Sequence, residues 1–318
     1  MTGLPLPFAP RRVLIAASAH VGLAAFLRGK RPDIEWRGAR VDDVAAADVA
    51  WAEVYVGFKR PATDTLGAVQ WVHCTGAGVD AWTSPRELDR HILLTRTPES
   101  FGPAIAEWAV ARILAFQQEL LDLSRAQQAR DWSSREVRMV SGTRALLVGT
   151  GDVGRAVARR FAALGVEVTG VSRTGRCDEA SFRAVYPASA LPHLVADADW
   201  IVLTLPITAA TRGLFSRDLL SRCRGAVLLN AGRGAVVAED ALPEALDQGW
   251  LRGAALDVFE VEPLPKPSPL WHHPHVMISP HASGPTTTAG AGNGFLECLA
   301  EVEAGRLPKW VVDRERGY

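Results

Sequence analysis

The stretch RALLVGTGDVGRAVARRFAALGVEVTGVSRT, residues 144–174, decides the fold. Ala145, Leu146, Leu147 and Val148 form a continuous apolar run, and Gly149, Gly151 and Gly154 follow it at the opening of a helical pattern. Val153, Val157, Phe161 and Leu164 then recur at spacings of four, four and three, which places them on one helix face. Gly165 supplies the stop, and a second apolar run begins at once. Strand, turn, helix and strand make a β-α-β unit. Its first two glycines permit a tight turn and close approach of the backbone to a pyrophosphate. The third lets the helix pack on the strand with its N-terminus toward the anion. The segment therefore predicts a dinucleotide site, with the backbone of Asp152, Val153 and Gly154 cradling the phosphates.

Working outward, apolar runs at 13–16, 69–72, 92–95, 166–171, 201–205, 226–229, 254–258 and 276–278 alternate with helical patterns. Most are continuous rather than alternating, as in strands of parallel sheets covered on both faces. No fixed-period repeat and no low-complexity segment interrupts them. One long helical pattern, 103–130, is read as a connector. The expectation is an α/β protein of two Rossmann-like domains with parallel sheets. A dinucleotide-binding domain spans 101–284, and a discontinuous substrate-binding domain is made of 1–100 and 285–318. The Gly-rich stretch TTTAGAGNG (286–294) would open the returning helix.

The 318 residues are 48% hydrophobic and 22% charged, ordinary material for two domains. Lys plus Arg and Asp plus Glu number 35 each, so the net charge of zero gives no general attraction to nucleic acid or anionic membrane. Cys74, Cys177, Cys223 and Cys298 are scattered and form no C-x-x-C pair, which suits reduced structural thiols. The first residues lack a basic start followed by a long apolar run, and no membrane helix is legible elsewhere. A cytoplasmic location is expected.

The end of the second strand bears on which nicotinamide cofactor fits. A carboxylate there, about 20 residues past the first glycine, would bond the free ribose 2′-hydroxyl of NAD. Ser172 stands in that place, followed by Arg173 and Thr174. With no carboxylate to repel a 2′-phosphate, and with a planar fork of donors beside it, the site suits NADP, NAD remaining possible.

Four motifs follow in order: LTLPITAATRGLF (203–215), LLNAGRGAVV (228–237), ALDVFEVEPLP (255–265) and PLWHHPHVMISPHASG (269–284). Together they resemble the D-isomer-specific 2-hydroxyacid dehydrogenase family, a likeness that extends from about Trp71 onward. The last residues, 312–318, resemble its glyoxylate/hydroxypyruvate reductase branch. The resemblance implies a catalytic set of Arg233, Glu262 and His281, in the cleft between the two domains. His281 would donate the proton in reduction of a small 2-keto acid, and Glu262 would hold its ring. Arg233 would orient and polarise the substrate through its fork. Asp257 would contact the nicotinamide carboxamide, and Leu205, Pro206, Thr211 and Ala231 would line the cofactor site. In WVHCTGAGVDAW (71–82), the amides of Ala77 and Gly78 would form a nest for the substrate carboxylate. The resemblance further implies a homodimer joined through the cofactor domains.

Other features are read as structural. His272, His273 and His275 are interrupted by Pro274 and match no ligand spacing, so they are taken as solvated loop residues and no metal is expected. Trp132, Trp271 and Trp310 are taken as packing residues, and Glu107 as structural. Two other readings stay open: an NAD-dependent dehydrogenase of another 2-hydroxy acid, such as a D-lactate or phosphoglycerate type, and a non-catalytic nucleotide-sensing corepressor or scaffold on the same fold.

Overall fold

The structure, a computed structural model, describes residues 5–63, 65–83, 88–97, 101–132 and 136–317. Residues 1–4 and Tyr318, parts of the terminal stretches read above, lie outside the described residues. The chain divides into two compact units, Met1–Ser100 with Thr286–Tyr318 and Phe101–Pro285.

In the first unit, the strands β1 (Arg12–Ala16), β2 (Glu35–Ala39), β3 (Val54–Gly57), β4 (Trp71–Cys74) and β5 (Leu93–Arg96) form a parallel sheet ordered β2-β1-β3-β4-β5. Side-chain alternation splits β1 between two cores. Val13 and Ile15 join Leu23, Leu27, Trp71 and Phe295 on one face, while Leu14 and Ala16 join Tyr55, Val72 and Trp82 on the other. The helices His20–Lys30 and Thr288–Glu303 cover the first face. The glycines of the second helix allow close packing, since a Cβ at Gly292 would stand 2.5 Å from the Phe26 ring and one at Gly294 2.5 Å from Thr97. At its start, the Thr287 hydroxyl accepts from Gly290 N–H at 3.0 Å.

The second unit holds β6 (Arg144–Val148), β7 (Glu167–Ser172), β8 (Ala184–Pro187), β9 (Trp200–Leu203), β10 (Ala226–Asn230), β11 (Leu251–Leu256) and β12 (Val276–Ile278). They form one parallel sheet ordered β12-β11-β10-β9-β6-β7-β8, so the order of connection reverses between β6 and β9. Ligands of such sheets bind beyond the carboxyl ends of the strands at that reversal. The registers Val148↔Leu203, Leu203↔Asn230, Asn230↔Leu256 and Leu256↔Ile278 level those ends. Gly149, Thr204, Ala231, Asp257 and Ser279 therefore emerge side by side, although the sequence separates them widely.

One element departs from the expectation. The pattern at 103–130 is two helices, Gly102–Gln117 and Leu120–Ala129, parted at Glu119, whose φ of 52° is left-handed. The first buries Ile105, Ala106, Trp108, Ala109 and Ile113, whereas the second buries nothing. Continuing one straight helix would have carried a polar segment along the core for no gain in apolar burial.

Candidate active site

The phosphate turn is compressed to a degree only glycine permits. Gly149 has φ 109°, and a Cβ on it would lie 2.6 Å from Thr204 Oγ1; one on Gly154 would lie 2.1 Å from the Gly149 carbonyl oxygen. At Gly151, by contrast, a Cβ would meet nothing within 4 Å. The helix Asp152–Ala163 begins there, and the amides of Asp152, Val153 and Gly154 in its first turn have no acceptor inside the helix. An approachable helix start with three donors that have no partner among the described residues fits a pyrophosphate. The other end closes on Gly165, at φ 77°, with Gly165 N–H donating to Ala162 O and Val166 N–H to Phe161 O.

At the end of β7 the Ser172 hydroxyl accepts from Arg176 N–H at 3.1 Å and donates to its carbonyl at 3.2 Å, folding 172–176 into a tight loop. Arg173, Thr174 and Arg176 are exposed on it. The loop thus offers two guanidiniums, of which the sequence reading named one.

After β9, Thr211 Oγ1 donates to Pro206 O at 2.7 Å and accepts from Thr208 N–H at 2.8 Å, so this hydroxyl closes the turn that carries Leu205 and Pro206. After β10, buried Asn230 shapes the next loop: its Oδ1 accepts from Gly232 N–H at 3.1 Å and its Nδ2 donates to Arg233 O at 3.1 Å. Arg233 Nη1 donates to Gly232 O at 2.8 Å. A Cβ on Gly232 would sit 2.7 Å from Leu205 O, and one on Gly234 only 1.9 Å from the Phe259 carbonyl carbon. Ala231 is half-buried between these contacts. The spacing of the N-A-G-R-G motif is thereby explained, with Asn230 as clamp and two glycines where neighbouring loops pass.

The loop after β11 begins with Asp257, which is 0% exposed. Its Oδ1 accepts from Ser279 Oγ at 2.5 Å and Ala282 N–H at 2.9 Å, and its Oδ2 from Ser283 N–H at 2.9 Å. Trp108 Nε1 donates to the same Ser279 hydroxyl at 2.9 Å. Both Asp257 oxygens therefore hold the 279–283 segment that bears His281. Arg112 faces Asp257 while burial pushes its guanidinium pKa down. Glu262 Oε1 accepts from Phe259 N–H at 3.0 Å, which fixes its carboxylate. Its Oε2 lies 2.7 Å from His281 Nδ1. A carboxylate can only accept here, so Nδ1 carries the proton and Nε2 is left unbonded among the described residues. The pair is half-exposed, with side chains 42% and 36% accessible. Arg233, Glu262 and His281 all belong to the second unit.

Ala77 and Gly78 belong to the first unit and are half-buried. The ring of Phe58 fits against Gly76, where a Cβ would meet it at 2.5 Å. Elsewhere, His272 and His275 are exposed. The His273 side chain is only 15% accessible, its Nδ1 accepting from His275 N–H at 3.2 Å, so it is a packed loop residue rather than a solvated one. Among the described residues no group of His, Cys, Asp or Glu could hold a metal ion. Trp132 is fully exposed and Trp271 about half so, while Trp310 packs partly buried in its own unit. Glu107 is exposed. Sequence reasoning missed Asn230, Ser279 and Arg176; the first two lay within quoted motifs, as the leading Asn of N-A-G-R-G and the Ser before Pro280.

Residues 110–283 match the family described as D-isomer specific 2-hydroxyacid dehydrogenase, NAD binding domain. A glyoxylate/hydroxypyruvate reductase A of Serratia proteamaculans is 31% identical over 269 residues, covering 81% of this chain and 86% of that protein. A D-isomer specific 2-hydroxyacid dehydrogenase of Xanthobacter autotrophicus Py2, solved with NADPH and MES, superposes with a TM-score of 0.87 at 30% identity, covering 98% of this chain and 100% of that one. An NADPH-dependent glyoxylate/hydroxypyruvate reductase of Sinorhizobium meliloti, solved with NADP and sulfate, gives 0.86 at 26% identity, with 96% and 99% covered.

Proposed function

Because the chain belongs to the D-isomer specific 2-hydroxyacid dehydrogenase family, and is thus a nicotinamide-dependent oxidoreductase acting on small keto or hydroxy acids, we propose that it reduces a 2-keto acid of the glyoxylate or hydroxypyruvate kind to the D-2-hydroxy acid, preferring NADPH. The observation that carries this reading is the 2.7 Å contact of Glu262 Oε2 with His281 Nδ1, which leaves Nε2, without a hydrogen bond among the described residues, available as the proton donor. A bound nicotinamide supplies the hydride to the carbonyl carbon. His281 Nε2 gives its proton to the carbonyl oxygen, and the ring, steadied by Glu262, takes a proton back from solvent before the next turnover. Arg233 holds the substrate through its planar fork, and the amides of Ala77 and Gly78 receive the carboxylate.

The cofactor preference draws support from Ser172, where a carboxylate would repel a 2′-phosphate, from the exposed Arg173 and Arg176 beside it, and from relatives solved with NADPH or NADP. A cytoplasmic location goes with this reading, since the NADPH pool that drives reduction is held there. No helix among the described residues is long and apolar enough to cross a membrane. Pairing of two copies through the cofactor-binding unit is supported by three apolar side chains that one chain leaves in solvent along a single stretch: Trp132, Met139 and Val137 are 101%, 79% and 56% exposed. Sedimentation of a monomer at micromolar concentration would remove the dimer from this proposal.

The test is a panel of glyoxylate, hydroxypyruvate and bulkier 2-keto acids with NADPH and NADH. Turnover of a small 2-keto acid with higher kcat/KM for NADPH is expected. Equal or better efficiency with NADH would refute the preference, and NADPH binding without any turnover would refute the reductase.

A further inference from the structure

The loop that follows β4 has its carbonyls held and its amides left over. Thr97 N–H donates to the carbonyls of Cys74 at 3.1 Å and Gly76 at 3.3 Å. Arg96 Nη1 donates to the carbonyl of Ala77 at 2.8 Å, and the Cys74 thiol to that of Gly78 at 3.3 Å. In a planar trans peptide the C=O and the N–H point in opposite directions. Fixing the Gly76 carbonyl therefore fixes the Ala77 N–H, and fixing the Ala77 carbonyl fixes the Gly78 N–H. Neither of these N–H groups has a hydrogen-bond partner among the described residues, and both residues are half-buried. Consecutive amides left unpaired in this way make a concave site for an anion.

Each holding residue is itself anchored. Arg96 N–H donates to Trp310 O at 3.1 Å. The Thr97 hydroxyl lies 2.8 Å from Nε2 of His73, whose Nδ1 lies 2.8 Å from Thr95 Oγ1, with His73 wholly buried. Trp71 Nε1 donates to the same Thr95 hydroxyl at 2.8 Å. The missing Cβ of Gly294 leaves room for Thr97.

We propose that Arg96 is a positioning residue for the substrate carboxylate. By gripping the Ala77 carbonyl it turns the Gly78 N–H toward the anion, and its fixed positive charge stands behind the turn. A guanidinium suits this task because it keeps its charge at every working pH. The inference rests on the reading of the chain as a keto-acid reductase whose carboxylate site is the Ala77 and Gly78 amides.

The experiment compares the wild type with Arg96→Met and Arg96→Lys, measuring kcat and KM for glyoxylate, competitive inhibition by oxamate, and NADPH affinity by fluorescence. Losing a hydrogen bond from a charged donor should raise the glyoxylate KM and the oxamate inhibition constant of Arg96→Met by about 10- to 100-fold. Its kcat should fall less than about threefold and its NADPH affinity should stay within about twofold, because the cofactor residues lie in the other unit. Arg96→Lys, which keeps the charge and one donor, should be intermediate. Unchanged KM in Arg96→Met, or a parallel fall of kcat and NADPH affinity, would overturn the role. Should Arg96→Met not fold, Arg96→Lys decides on the same split between KM and kcat. A wild type that turns over no 2-keto acid brings down the underlying reading instead, and does so before any variant is made.

Discussion

His281 sits at φ 52°, a backbone conformation costly for a residue with a Cβ. Its own N–H, donating to Asp257 O at 2.8 Å and Ser279 O at 3.1 Å, and the three bonds to the Asp257 carboxylate hold it there. A backbone held in this way, with the ring clamped by Glu262, suits the positioned acid proposed above. His281→Gln is expected to lower kcat by about 10²- to 10⁴-fold while leaving NADPH affinity nearly unchanged. Steady-state kinetics beside a cofactor titration checks both halves, and retained turnover would end the assignment. Ser172→Asp places a carboxylate at the mouth of the 172–176 loop, and should weaken NADPH binding about tenfold with little effect on NADH. If both cofactors bind as before, the 2′-phosphate is read elsewhere.

At the scale of elements, the loops after β10 and β11 stand back to back at Gly234, with no room for a methyl group against Phe259. Gly234→Ala is expected to destabilise the fold by about 3 kcal/mol, and to displace Arg233 and Glu262 together. Thermal melting should drop by roughly 6–12 °C with a fall in kcat, whereas an unchanged melt would mean the loops have slack. This crowding was written in the sequence as two glycines flanking Arg233, yet nothing in the sequence said which neighbour they make way for. The β-α-β unit was legible because each of its parts had its own signal: continuous apolar residues, glycines, a helical face and a stop. The strands β2 and β8 escaped because these two edge strands bury little, Trp36 alone in β2 and nothing fully in β8; burial does not account for β3, whose VYVG is wholly buried and was likewise not read. The break at Glu119 escaped because FQQELL carries neither Gly nor Pro. The position of Asp257 at the end of its strand was legible, but its grip on the His281 loop was not, since Ser279 and Ala282 come near only once β12 lies beside β11.

For the whole molecule, burial sets how stability responds to acid. His73 is enclosed, and desolvation pushes its pKa from the ordinary 6.5 down to about 3. As pH falls below 6.5 the unfolded chain takes up a proton that the folded chain refuses, so stability is full above that value and declines toward pH 3. The slope from this residue approaches about 1.4 kcal/mol per pH unit. Denaturant unfolding at several pH values should show an acid limb that His73→Gln makes shallower; parallel curves would show that His73 contributes nothing to it. The thiols of Cys223 and Cys298, pushed up to about 12 by burial, add no charge over that range.

The first unit is assembled from both ends of the chain, and this has a consequence during synthesis. Residues Phe101–Pro285 form a contiguous unit that can fold as soon as they leave the ribosome. The sheet of the first unit emerges earlier but must wait for the helix Thr288–Glu303, because Phe295 stacks on Trp71 at 5.0 Å and closes one face of its core. At roughly 5–20 residues per second, that face stays open for on the order of ten seconds or more after β5 is made. The sheet made earlier is thus sealed later, and for that interval it is the part that chaperones can shelter and proteases can reach.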